Sequence, residues 1–209
     1  MEKALRQAQD GILAQAMKVA DAAEVFVLSS EETPVSFEAN RLKLLQTRQS
    51  QGLALRLVKN GRLGFASTTN LAHQGRLVEM ALETAQFGAE AHFDFPNPGS
   101  LPPVEVYDAA VEAVSIDEMI HLGQGLIDAV RAAEPELLCD VGVSRSRMTL
   151  RLVNSAGGQA AYTKTIFALG LSGTLIRDTD MLFVGDWSSS CHPVPDGQPI
   201  IEETLRQLE

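Results

Sequence analysis

The chain has 209 residues, 45% of them hydrophobic, 16 glycines, nine prolines and two cysteines. That length supports one large domain or two small ones with real cores, and its apolar runs are too short to span a bilayer. A formal net charge of −10 repels phosphate backbones and argues against a general nucleic-acid binder.

Residues 2–20 carry Leu5, Ala8, Ile12, Leu13, Ala16 and Val19 near a 3.6-residue period, which predicts a helix. Val25–Leu28 is a short β-branched run, then a polar break, and Val35 and Phe37 alternate with Ser36 and Glu38. These predict two strands, with a third over Leu42–Gln49. Leu53, Leu55 and Leu57 alternate with Ala54, Arg56 and Val58, and Asn60-Gly61 follows at once. That pair supplies the two positive φ angles of a type I′ turn, so a hairpin returning through Arg62–Ser67 is expected. Leu71–Phe87 reads as a helix with Asn70 as its N-cap.

Residues 88–103 are proline-rich and aperiodic, as in a linker. Ser115-Ile116-Asp117-Glu118 is a capping box opening a helix that stops before Pro135. Strands follow over Leu138–Arg147, Met148–Asn154 and Gln159–Ile176, with a turn at Ser155–Gly158 and a further strand over Thr179–Ser189. Ile201, Leu205 and Leu208 begin an amphipathic helix. The fold class read from this order is α+β: antiparallel sheets with helices on one face, in two consecutive subdomains. The boundaries are residues 1–90, a linker over 91–113, and a second domain over 114–209 that is expected to be cut short at its C-terminal end.

Chemistry is sparse. His73, His92, His121 and His192 fit no helical zinc pattern. Cys139 and Cys191 lack metal-site spacing and read as reduced thiols. Cys191-His192 could form a nucleophile–base pair only in an unusual loop, because neighbours on a strand point oppositely. Arg145, Arg147 and Arg151 share one parity of a strand, opposite Met148, Leu150 and Leu152. They are either a solvated face or a grip for anions and carboxylates, which suit guanidinium forks. No residue reads as catalytic and none as a metal ligand.

The chain resembles the N-terminal portion of the TldD/PmbA family, the modulators of DNA gyrase. The resemblance rests on Ala23-Glu24-Val25, Phe37 to Lys43, Gly52 with Leu55-Arg56-Leu57, and Gly61 to Thr68. It continues through Asp94-Phe95-Pro96, Val114 to Glu118 and Val153 to Gly157, and its Gly64–Leu71 wording is closer to the PmbA-like type. It implies a cytoplasmic, dimeric, zinc-dependent peptidase assembly of homologous subunits acting on unfolded or peptide substrates. Its zinc-binding residues would lie beyond this chain, so no catalytic residue and no cofactor is assigned here. Scaffold and interface are the implied role. A non-enzymatic module that binds extended peptides at a sheet edge is the alternative. Nucleic-acid binding is disfavoured by the charge, and no membrane partner is expected.

Overall fold

The computed structural model describes residues 2–70, 74–97 and 99–209. Its elements in order are α1 (Glu2–Ala16), β1 (Ala22–Glu38), β2 (Arg41–Leu45), β3 (Arg48–Lys59), β4 (Arg62–Thr68), α2 (Gln74–Ala85), α3 (Ala109–Ala113), α4 (Ile116–Ala133), β5 (Leu138–Asn154), β6 (Gln159–Arg177), β7 (Asp180–Ser190) and α5 (Gln198–Leu208). The strands follow the hydrogen-bonded order β4-β3-β1-β5-β6-β7, with β2 paired to β1. The α+β reading stands.

The chain packs as two compact units, residues 1–30, 49–105 and 148–163 in the first and 31–48, 106–147 and 164–209 in the second. These interleave along the sequence, whereas the sequence reading divides the chain at 1–90, 91–113 and 114–209. The cause is strand length. β1, β5 and β6 have 17, 17 and 19 residues, and each contributes to both units.

In the first unit, Leu5, Ala8, Ile12 and Ala16 of α1 and Leu77, Val78 and Ala81 of α2 cluster with Val25, Val27, Leu53, Leu55 and Leu57. α1 stops at Ala16, four residues short of the expected end, in a turn over residues 17–19. The β3–β4 hairpin forms as expected. Lys59 pairs with Arg62 across Asn60 (φ 50°) and Gly61 (φ 71°). Gly64 is required by packing, since a Cβ there would lie 2.0 Å from the Ala81 carbonyl oxygen of α2. Leu71 and His73 of the expected second helix lie outside the described residues, and α2 runs over Gln74–Ala85.

In the second unit, Met119, Leu126, Ile127 and Val130 of α4 and Ile200 of α5 cluster with Phe37, Cys139, Val141, Val143, Phe167, Leu169 and Leu171. The capping box is present: Ser115 Oγ accepts from the Glu118 amide and Glu118 accepts from the Ser115 amide. A short helix, α3, forms where a linker is expected. Asp108 caps it by accepting from the Ala110 amide at 2.8 Å.

Two pairs of expected strands are single strands. Ser29–Glu32 continues β1 instead of breaking it, and Arg147-Met148 lies inside β5. A polar stretch on a strand keeps its ladder bonds, because the backbone supplies them whatever the side chains. Thr33 is buried, and its Oγ1 lies 3.1 Å from Oγ1 of the exposed Thr47.

Candidate interaction surface

The residues that carry the resemblance serve the fold. In Phe37–Arg41, Ala39 (φ 47°) and Asn40 (φ 66°) form the β1–β2 turn. Asn40 then acts like a short piece of strand: its amide donates to the Cys139 carbonyl and its Oδ1 accepts from the Cys139 amide, both at 2.9 Å. Asn and Gly tolerate left-handed backbone at least cost, which suits Asn to this position. Glu24, 8% exposed, accepts from Arg56 at 2.7 Å, and the guanidinium lies over the rings of Phe93 and Phe95 at 5.2 and 5.3 Å.

Asn154 organises the β5–β6 turn. Its Oδ1 accepts from the amides of Ala156 (3.0 Å) and Gly158 (2.9 Å), and its Nδ2 donates to the Pro96 carbonyl at 2.8 Å. Ser155 exchanges both its amide and its hydroxyl with the backbone of Ala23.

The three arginines are divided between the units. In the second unit Arg145 donates to the carbonyls of Glu112 and Val114, at the end of α3, and Arg147 lies 3.7 Å from Glu112. In the first unit Arg151 Nε lies 3.5 Å from Gln9 Oε1. Arg145 and Arg147 continue the parity of Cys139, Val141 and Val143, the core-facing side of β5. The shared parity read from the sequence is therefore the parity of the core.

Cys139 is buried and its burial pushes the thiol up to about 11, while Cys191 is half-buried; both are unpaired. His192 does not face its neighbour Cys191 as a partner. Its Nδ1 meets Asp108 Oδ2 at 2.8 Å, and that bond, with the Ala110 amide, holds the Asp108 carboxyl below the usual carboxylate range. His121 Nδ1 donates to the Asp117 carbonyl at 2.6 Å. These donors do not fit a zinc centre. Among the described residues no three His, Cys, Asp or Glu side chains gather to hold a metal, and a thiol near 11 is protonated at neutral pH, so it is a poor ligand.

The surface least accounted for by folding lies on β7. Its odd positions point away from the core side that holds Val184, and Met181, Phe183 and Trp187 are 56%, 68% and 72% exposed. Trp187 stands opposite Gly170 and Phe183 opposite Thr174 in the β6–β7 register. Phe183 and Trp187 border an open groove of 840 Å³ with Asp140, Gly142, Gly170 and Ser172. Glycines leave its floor flat, and carboxylates of Asp140 and Asp186 line it. Such a contiguous apolar rim is a mark of an interaction site on a soluble domain. The sequence reading missed it. Its signal was the run Met181-Leu182-Phe183 before Gly185 and Trp187, in a strand at the end of the sheet order.

Residues 23–85 match the family described as PmbA/TldA metallopeptidase domain 1. No curated protein matches the chain. Three solved structures share its fold. TldE from Thermococcus kodakarensis is 17% identical, with 95% of this chain and 46% of that one covered at a TM-score of 0.80. A proposed modulator of a DNA gyrase from Thermotoga maritima is 15% identical (97% and 47%, TM-score 0.78). A proposed modulator of DNA gyrase from Bacteroides thetaiotaomicron is 18% identical (96% and 49%, TM-score 0.81). The resemblance to the N-terminal portion of TldD/PmbA proteins is thus borne out, by sequence over residues 23–85 and by fold over nearly the whole chain. The chain spans about half the length of the solved structures it matches. No helix among the described residues is long and apolar enough to cross a membrane.

Proposed function

We propose that this chain is the scaffold and interface portion of a TldD/PmbA-like subunit, of the PmbA-like type. The subunit works in a cytoplasmic, zinc-dependent peptidase assembly on unfolded or peptide substrates, and the hydrolytic centre lies outside this segment. The observation that carries this reading is what the family-matched residues do. Val25, Val27, Leu53, Leu55, Leu57 and Ala81 fill a core, Asn60-Gly61 and Asn40 make turns, and Glu24 is held by Arg56. The recognisable sequence of a metallopeptidase domain is here devoted to folding, which is the work of a scaffold. Two unpaired cysteines fit a reducing compartment.

Affinity purification of the tagged chain from a host that also expresses its homologous subunits, followed by metal analysis, tests the reading. Zinc is expected to arrive with a partner subunit, and the chain alone is expected to hold none in stoichiometric amount. Tightly held, stoichiometric zinc on the isolated chain would sink the proposal. The exposed aromatics of β7 favour one second reading, a peptide-binding module with no peptidase attached. Under that reading peptides bind but no zinc-bearing partner co-purifies.

A further inference from the structure

β7 ends the sheet order, so one side of its ladder faces β6 and the other faces no described strand. Gly185 shows which backbone groups face outward. Its N–H donates to Gln207 Oε1 at 2.8 Å and its carbonyl accepts from Gln207 Nε2 at 3.1 Å. A carboxamide on α5 therefore stands where a neighbouring strand's peptide group would stand. In an antiparallel pair alternate residues turn both backbone groups the same way. Met181, Phe183, Trp187 and Ser189 accordingly turn theirs to the open edge, as Gly185 does.

Native sheets usually blunt such an edge with charge, proline or a cover. Here the cover is α5, which packs against β7 and plugs its edge at Gly185, and that plug is firmly built. Gln207 Nε2 also donates to Glu203 at 2.8 Å. Glu203 is gripped by Arg206 at 2.5 and 2.8 Å, which holds its carboxyl down at about 2. Gly185 sits at φ 150°, and a Cβ there would lie 2.2 Å from the Leu171 carbonyl oxygen. The plug thus divides the edge into Asp180–Val184 and Asp186–Ser190. Both halves keep exposed apolar side chains, Met181 and Phe183 on one side and Trp187 on the other.

The charge that β7 itself carries is acidic, while Arg177 stands opposite Asp180 at its far end, bonded to Glu134. β7 contributes Asp180 and Asp186, the groove adds Asp140, and β7 itself has no Lys or Arg. Arg206 on α5 is committed to Glu203. We propose that the Asp186–Ser190 half of β7 receives, as an added strand, an extended cationic segment of a partner polypeptide in which Lys or Arg alternates with apolar residues. Main-chain bonds supply affinity, Trp187 covers the apolar positions, and the acidic rim selects the basic ones. Gln207 sets the register by stopping the added strand at Gly185. This deepens the interface reading above by naming the partner's chemistry, and it rests on that reading.

Trp187 is the chain's only tryptophan, so its fluorescence reports the edge directly. The probe is a ten-residue Lys–Val alternating peptide titrated into the 209-residue chain at low salt. Saturable binding with a blue shift is expected. N-methylation of the amides that would face β7 should weaken it roughly tenfold or more, the worth of one or two hydrogen bonds. A Glu–Val peptide should bind at least about tenfold more weakly. Ser189→Pro removes an edge-facing N–H while leaving the β6 ladder intact, so it should abolish binding with an unchanged circular dichroism spectrum. Equal binding of the N-methylated or acidic peptide, or no saturable response, would overturn the proposal. So would a concentration-dependent dimer that Ser189→Pro abolishes, since that assigns the edge to a second copy. If Ser189→Pro unfolds the chain, the N-methylated peptide alone decides. Failure here leaves co-purified zinc untouched, whereas peptide binding without a zinc-bearing partner would point to the stand-alone module.

Discussion

Replacing Asn154 with alanine isolates the turn that joins β5 to β6. Asn154 is 4% exposed, and its carboxamide serves the amides of Ala156 and Gly158 and the carbonyl of Pro96. Only the Gly158 amide is fully buried with this bond, so its loss leaves a donor without water, at about 1–3 kcal/mol. The other two groups can turn to solvent, and each lost bond costs about 0.5–1.5 kcal/mol. The expected destabilisation is about 3 kcal/mol, which at an ordinary urea slope lowers the midpoint by roughly 1–2 M. Asn154→Asp keeps both acceptor bonds but sets a carboxylate oxygen against the Pro96 carbonyl at a buried position, so it too should destabilise, and less at low pH, where the protonated carboxyl can donate to Pro96. Urea unfolding followed by circular dichroism measures both variants. Trp187 fluorescence, which reports the second unit, checks that the transition is single. A loss under about 1 kcal/mol for Asn154→Ala, or an aspartate variant as stable as the wild type at neutral pH, would refute the reasoning.

Three further outcomes are expected. Gly123 and Gly125 lie on the same helix, but a Cβ at 123 would come within 2.5 Å of the Phe37 ring while one at 125 meets nothing within 4 Å. Gly125→Ala should therefore stabilise by up to about 1 kcal/mol and Gly123→Ala should destabilise by a similar amount, both read from thermal melts. At pH 8 a thiol-reactive dye should label one cysteine per native chain quickly, Cys191. Cys139, with its thiol pushed up to about 11 by burial, should react only after denaturant is added. The Asp108 carboxyl is held low by His192, so its contribution is complete above the ordinary carboxylate range and is lost as pH falls through the depressed value. The stability gap between wild type and Asp108→Asn should accordingly be present at pH 7 and close well below pH 4; a gap that persists undiminished below the depressed value contradicts the assignment.

What could be read from the sequence was local. Asn60-Gly61 and the Ser115–Glu118 box are complete within four residues, and both stand as expected. The amphipathic pattern from Ile201 to Leu208 also lies in a helix. What could not be read depends on partners far along the chain. Over Leu28–Glu32 no residue of β1 is buried, so the alternation that marks a strand pauses while the ladder continues. The α3 cap works because the Asp108 amide bonds Thr165 and the carboxylate bonds His192, 57 and 84 residues away. The arginine parity was visible, but its side was not, because Met148, Leu150 and Leu152 look more like a core face than Arg145 and Arg147 do. The β7 edge needed two facts that sequence withholds: which strand ends the sheet, and which side chain reaches Gly185 from 22 residues away.

The interleaving of the two units sets how this chain can be made and cut. Each unit is assembled from three separate stretches, so no single break in the backbone releases either one intact. A fragment ending near residue 105 would hold α1, β3, β4 and α2 but lack residues 148–163, including the turn that bonds Ala23. During synthesis the first unit must wait for β5 and β6 before its sheet is complete. Long-range pairing of this kind folds slowly, and in that interval the half-made sheet presents unpaired strands to chaperones and to other chains alike.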